Sequence, residues 1–196
     1  LVSASAVGYY GDRGDETLTE DSRPGRGILA EVAAAWEEAT RPAADAGIRV
    51  ARLRIGLVVS RRGGALPRLL PLFRMGLGGP FGSGRQHWSW IALEDLVGIL
   101  HQAILDPAIE GPINAVAPEP VTANEFAALL GEALERPAIL HVPEMAIRML
   151  TGEMGQSMLL SSARVLPSRL EALRFPFLHR TLRDAFLFEL GRIEET

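Results

Sequence analysis

The order in which strand-like and helix-like segments open this chain does most to restrict its fold. Residues 1–11 begin as a short strand, small-residue and hydroxyl-rich, that runs into a Gly-Tyr turn. Ser and Gly there leave room for backbone to pass close to a ligand. After a polar loop over 12–27, Leu29, Val32, Ala33 and Trp36 recur at helical spacing with acids between them, which predicts an amphipathic helix ending near Pro42. Gly47 closes the segment, and 48–55 is a Val/Leu/Ile strand punctuated by Arg49, Arg52 and Arg54. Strand, helix and strand at these lengths make a βαβ unit, which forces parallel pairing and a right-handed crossover. The fold class is therefore α/β.

Beyond Ser60 the texture changes. A short helix is expected over 66–75, then a flexible crossover over 76–84 that holds Gly76, Gly78, Gly79, Gly82 and Gly84. Trp88, Ser89, Trp90 and Ile91 read as one short strand, which puts both indoles on one face. Glu94 and Asp95 are expected to cap a helix over 96–105, and 113–116 reads as a brief strand returning to the main sheet. Thr122 with Glu125 three residues on is a capping box. A lobe strand over 139–142, a helix from Pro143 and further helical stretches fill the rest, with Met145, Met149, Met154 and Met158 as a helical core stripe. Arg85, Trp88 and Trp90 are candidate substrate contacts, the indoles as a wall over a cleft and Arg85 as an anchor for an anion; packing between lobes is the alternative for the indoles.

Composition narrows the function classes. A net charge of −4 with no basic stripe argues against nucleic acid. No apolar run reaches membrane-spanning length, and zero Cys removes disulfide and thiolate chemistry, as suits a cytoplasmic protein. His87, His101, His141 and His179 lack metal-ligand spacing, so no metal site is expected. All 20 basic residues are Arg, and with the Ala, Gly and Pro usage this points to a GC-rich bacterial gene.

Several blocks together resemble one atypical, epimerase-like branch of the extended short-chain dehydrogenase/reductases whose substrate is unknown. They are Ser3-Ala4-Ser5-Ala6-Val7-Gly8-Tyr9-Tyr10-Gly11, Leu29-Ala30-Glu31-Val32 with Trp36-Glu37, and Leu53-Arg54-Ile55-Gly56-Leu57-Val58-Val59-Ser60 with Gly63-Gly64-Ala65-Leu66-Pro67. Gly82-Ser83-Gly84-Arg85-Gln86, Trp88-Ser89-Trp90-Ile91, Gly152-Glu153-Met154 and Leu159-Leu160-Ser161-Ser162 complete the set. The resemblance implies the C-terminal part of a doubly wound, Rossmann-like parallel sheet (1–60 and 93–117) plus a smaller, mainly helical substrate lobe (61–92 and 118–196). In that family the Gly-rich nucleotide loop lies upstream of the strand matching 1–6, so the chain is expected to be a fragment that binds dinucleotide weakly by itself. Its uncovered parallel strand is then expected to invite self-association.

The resemblance also implies roles. NADP, in preference to NAD, is the cofactor, with Ser3, Ala4, Gly56, Leu57 and Val58 beside the nicotinamide. Ser5 matches the family serine that bonds a substrate oxygen. The family's Tyr-x-x-x-Lys pair, in which the lysine lowers the phenol's pKa for proton exchange, cannot exist in a chain without Lys. If Glu37 matches the acid that follows the pair, Leu29 and Ala33 stand in its place. A relocated acid is then sought at Tyr9 or Tyr10, with Tyr10 taken as the catalytic candidate beside Ser5, while Glu31 faces another side of its helix. Trp88 replaces an Arg that holds the diphosphate in sugar-nucleotide epimerases, and Ala92 replaces a frequent His, which argues against a nucleotide-sugar substrate. Two functions follow: an NAD(P)-dependent epimerase or oxidoreductase acting on a small molecule, or a non-catalytic NADP(H)-binding regulator.

Overall fold

A computed structural model describes residues 1–145 and 159–192. At its centre β1 (Val2–Ala6), β3 (Ala51–Ile55) and β7 (Gly111–Ala115) form a parallel sheet in the order β1-β3-β7. Helix α1 (Ile28–Glu38) makes the crossover from β1 to β3. The helical pattern expected to reach Pro42 divides in two, because Pro42 lies in the first turn of a separate α2 (Arg41–Asp45), where its missing N–H is harmless.

One prolonged strand ties two sheets together. β3 ends at Ile55, and β4 (Leu57–Val59) continues it after Gly56. The Gly56 N–H still donates to Ala115 on β7, whereas Leu57 N–H donates to Ser89, and β4 pairs in parallel with β6 (Trp90–Ala92). The change of partner happens where a side chain has no space: a methyl on Gly56 would stand 2.6 Å from the Ser89 carbonyl oxygen and 2.9 Å from Val116 Cγ1. The expected single Trp-Ser-Trp strand is likewise two. β5 (His87–Trp88) pairs antiparallel with β8 (Val121–Thr122), and the strand is interrupted at Ser89 before β6. The indoles therefore join different sheets and do not form one wall.

Helix α3 (Leu66–Arg74) precedes the glycine-rich crossover, as its pattern implied. α4 (Leu93–Leu105) starts three residues earlier than expected, with Ala92 at its cap and Asp95 inside the first turn. Asp95 is instead buried and accepts the backbone N–H groups of Leu178 and His179, and burial raises its carboxyl pKa against the pull of those two bonds. α5 (Ala123–Leu134) carries the Thr122–Glu125 capping box in both directions. Where a lobe strand was expected over 139–142, the structure has one bridge, Val142 to Phe81. The Met149, Met154 and Met158 part of the methionine stripe, and the Gly152-Glu153-Met154 block, lie outside the described residues. At the C-terminal end β9 (Arg164–Val165) pairs with β2 (Thr17–Leu18), α6 (Ser168–Ala172) packs on β7, and α7 (Leu182–Glu189) packs on α5.

The main core lies between the sheet, α4 and the second lobe, built on Leu53, Trp90, Ile91, Ile99, Ile113, Phe126 and Phe186. On α1 the expected apolar face is split: Ala33 is buried and Leu29 half-buried, but Val32 and Trp36 are exposed, Trp36 by 56%, and Ala30 and Glu37 face the protein in their place. β1 pairs with β3 alone among the described strands, leaving its other edge open beside this helix.

Gly56→Ala is expected to destabilise the fold by about 1–3 kcal/mol, as overpacking against backbone does. A denaturant titration with unchanged slope and a lower midpoint would show it; an unchanged midpoint would refute the assigned packing.

Candidate functional site

The parallel register puts Ser5 opposite Arg54 and Arg54 opposite Asn114. Register-mates share a face, so a polar row crosses the sheet near its carboxyl ends, where ligands of open α/β sheets bind. All three residues are buried. Above the row sit α1, carrying Glu37, and a 3-10 turn (Val7–Tyr10) that continues from β1.

Arg54 is the hub. Its Nε and Nη2 donate to the two oxygens of Glu37 at 2.7 and 2.9 Å, a forked ion pair with both partners buried. Its Nη1 donates to the Tyr10 hydroxyl at 2.8 Å and to the Glu20 carbonyl at 3.2 Å. The guanidinium also lies 3.6 Å from the centre of the Tyr9 ring, a cation–π contact, and Tyr9 meets Tyr10 edge to face. Burial works against the Arg54 charge, but the bonds to Glu37 and Tyr10 outweigh it and raise the guanidinium pKa above its ordinary value.

This network defines where two candidate residues stand. The Ser5 hydroxyl donates to Glu37 Oε1 at 2.9 Å. A serine has one proton to give, and here it goes to a carboxylate beneath the turn. Tyr10 is fully buried; its hydroxyl accepts from Arg54 and sits 2.7 Å from Asn114 Oδ1 and 2.9 Å from the Thr19 carbonyl. Every site on that oxygen is occupied, and burial raises the phenol pKa despite the opposing Arg54 charge. Neither group is oriented outward for proton exchange. Tyr9, on the same turn, is half-buried.

The other candidates divide. Ser3 lies half-buried one step down β1 on the Ser5 face, and Ala4 points to the opposite, exposed face. Leu57 and Val58 are partly buried on β4, and Gly56 is enclosed by protein as described above. Arg85 is exposed on the turn before β5, its N–H donating to Ser83 Oγ. Trp88 packs edge-on against Phe126 and donates to the Leu159 carbonyl, and Trp90, 0% exposed, donates to the Glu119 carbonyl. Both indoles are therefore core groups, and of the three substrate candidates Arg85 alone stands in solvent. Leu29 Cβ lies 3.4 Å from the position a Gly8 methyl would take, and Ala33 faces the protein. Among the described residues no three His, Asp or Glu side chains gather as a metal centre requires.

Glu37, Arg54, Glu20 and Asn114 were not picked out as a site by sequence reasoning. The visible signal was Arg52 and Arg54 at alternate positions of a strand that is otherwise apolar, since strands buried on both faces rarely carry charge.

Comparison with known proteins agrees with this architecture. Residues 142–187 match the family model described as a domain of unknown function, DUF1731. An epimerase family protein of Mycobacterium bovis is 46% identical over 98% of this chain and 64% of its own length. A chloroplastic homologue of epimerase family protein SDR39U1 from Arabidopsis thaliana is 44% identical over 94% of this chain and 53% of its own length. The crystal structure of human epimerase family protein SDR39U1 with NADPH superimposes with a TM-score of 0.92 at 34% identity, covering 98% of this chain and 65% of that one. A nucleoside-diphosphate sugar epimerase from Corynebacterium glutamicum gives 0.80 at 44% identity, covering 99% of this chain and 38% of that one. The chain thus spans less than two thirds of the length of these relatives. Its fold is the Rossmann-like α/β fold of nucleotide-dependent epimerases. Over nearly its whole length the chain is similar in sequence and fold to these epimerase family proteins, and part of its C-terminal region matches the DUF1731 model.

Two outcomes are expected from the network. Glu37→Leu or Arg54→Leu alone leaves a buried charge without its partner, with an expected loss of about 3–5 kcal/mol, and the double substitution recovers part of it; strictly additive losses in a double-mutant cycle would show that the two do not act as a pair. Tyr10→Phe tests linkage to pH. The chain has no Lys and no Cys to add titrations of their own to the alkaline range. A phenol raised above 10.0 by folding contributes stability that is intact below 10.0. That contribution is lost as the pH rises from there through the folded pKa, because the unfolded chain ionises first. Tyr10→Phe is therefore expected to lower stability at neutral pH by about 1–3 kcal/mol while flattening its decline above pH 10.0. Denaturant midpoints on both sides of that pH measure both effects.

Proposed function

We propose that this chain supplies the nicotinamide- and substrate-facing part of a cytoplasmic NAD(P)(H)-binding, epimerase-like protein that acts on a small molecule without the usual Tyr-x-x-x-Lys pair. The observation that carries this reading is the likeness, over 98% of the chain, to the human protein whose crystal structure contains NADPH. The parallel strand ends support it, because this fold class binds its ligand there.

The residues at those ends suit the nicotinamide better than the phosphates. Exposed Ala4 and half-buried Ala6 share one face of β1, and the partly buried Leu57 and Val58 of β4 are likewise apolar, side chains suited to the neighbourhood of a flat ring. No Gly-x-Gly-x-x-Gly run appears in the sequence to cradle a pyrophosphate. When bound, the nicotinamide supplies hydride transfer. Ser5 and Tyr10 act from beneath, as positioning residues that fix the strand end and the turn. Leu29 and Ala33 exclude water where the family's pair would stand, which leaves Tyr9 as the phenol for proton transfer. Arg85 is the contact for an anionic group of the substrate. The open edge of β1 is the surface through which the chain by itself would self-associate.

A second reading, a non-catalytic NADP(H)-binding regulator, draws on one observation. The hydroxyls of Ser5 and Tyr10 are both committed to interior bonds, and the pair's positions are apolar.

The test is an NADPH titration of the full-length protein, followed by turnover across a panel of carbonyl compounds and sugars. Tyr9→Phe is expected to lower kcat by roughly 100-fold, the lower end of a general acid's contribution, with NADPH affinity unchanged. Binding without turnover would establish the regulator, and absence of binding would overturn both readings.

A further inference from the structure

The polar loop that follows the 3-10 turn has short-range bonds of its own, among them the Arg13–Glu16 pair and the Thr19–Ser22 turn, but these do not tie it to the rest of the protein. What holds it is the C-terminal family segment. Ser162, only 6% exposed, makes four hydrogen bonds across the gap. Its N–H donates to Asp12 Oδ1 at 3.2 Å, and its carbonyl accepts the Arg13 N–H at 2.8 Å. Its hydroxyl donates to the Gly14 carbonyl at 2.6 Å and accepts the His87 N–H at 2.9 Å. Both the donor and an acceptor site of this one side chain are used, so it joins the loop to the second lobe with no water between them.

The stitching continues down the segment. Ser89 Oγ donates to the Ala163 carbonyl and accepts the Val165 N–H, both within 2.9 Å. β9 pairs with β2 inside the loop, the Leu166 N–H donates to Leu18, and Asn114 Nδ2 donates to the Leu166 carbonyl. The Arg169 N–H meets Glu20 Oε1. Residues 162–169 are thus bonded to residues 12–20 on one side, and to the polar row and the β5–β6 turn on the other.

We infer that the part of the DUF1731 segment over residues 162–169 sets the loop that leaves the ligand-side turn, with Ser162 as its positioning residue. The inference rests on the ligand lying at the carboxyl ends of β1 and β4, as proposed above. It gives this segment a defined task within the fold: to hold the outer wall of the nicotinamide side at a fixed height.

The experiment compares wild type with Ser162→Ala, and with Ser89→Ala as a second way of loosening the segment, in the full-length protein. Amide hydrogen exchange over residues 12–20 reads the loop directly. NADPH is titrated against 2′,5′-ADP, which carries the adenine half of the cofactor without the nicotinamide. Loss of one buried hydroxyl is expected to speed exchange in the loop by roughly five- to tenfold. It is also expected to weaken NADPH by a similar factor while leaving 2′,5′-ADP unchanged. Unchanged exchange overturns the inference, and so does equal weakening of both ligands, which would mark a general loss of folding. If wild type binds neither ligand, the proposed function fails by itself. The inference then also loses its ligand role, and the exchange result decides whether the loop-setting task stands.

Discussion

A forked ion pair between Arg54 and Glu37 sits in the middle of this structure, and the elements around it are arranged to make it tolerable. A guanidinium and a carboxylate taken from water are expensive to bury, and good geometry with further hydrogen bonds must offset that penalty. Here the strand supplies the cation, the crossover helix the anion, and the 3-10 turn seals both. Ser5 donates to one carboxylate oxygen, Tyr10 accepts from the guanidinium, and the Tyr9 ring covers its face. The position of α1, the path of the chain after β1 and the burial of Tyr10 are all consequences of meeting that requirement.

The same requirement explains why the apolar face of α1 was misread. The pattern Leu29, Val32, Ala33, Trp36 obeys helical spacing, and spacing alone assigns it to the interior. Glu37 needs the side facing Arg54, and small Ala30 and Ala33 let the helix approach the sheet, so Val32 and Trp36 turn outward beside the open edge of β1. One buried carboxylate thereby sets the rotation of a whole helix. The tryptophans of the second lobe show a related limit. Alternation predicted a shared face, but the chain changes partner strand at Ser89, and each indole donates to its own carbonyl partner.

What was legible in the sequence was the alternation of elements. The βαβ opening, the α3 pattern, the glycine crossover and the Thr122–Glu125 cap are local signals with local causes, and each appears where its residues place it. The polar row was not legible, because Ser5, Arg54 and Asn114 come from three strands far apart in sequence and meet only through strand register. Ser162 was hidden for the same reason: its partners at Asp12 and Gly14 lie about 150 positions away. Residue type drew notice to Ser5 and Tyr10, but type says nothing about whether a hydroxyl faces a ligand or a buried carboxylate.

The strand that runs from Ala51 to Val59 belongs to two sheets, changing from one to the other at Gly56. In most two-lobed proteins the lobes meet through side chains or a flexible linker, and the cleft between them can breathe. Here the connection is continuous backbone, hydrogen-bonded to β7 on one side of Gly56 and to β6 on the other. Relative movement of the two sheets must twist about that single point, since sliding would break a ladder on one side or the other. The distance between the two ladders at Gly56 is consequently a built-in dimension of the molecule.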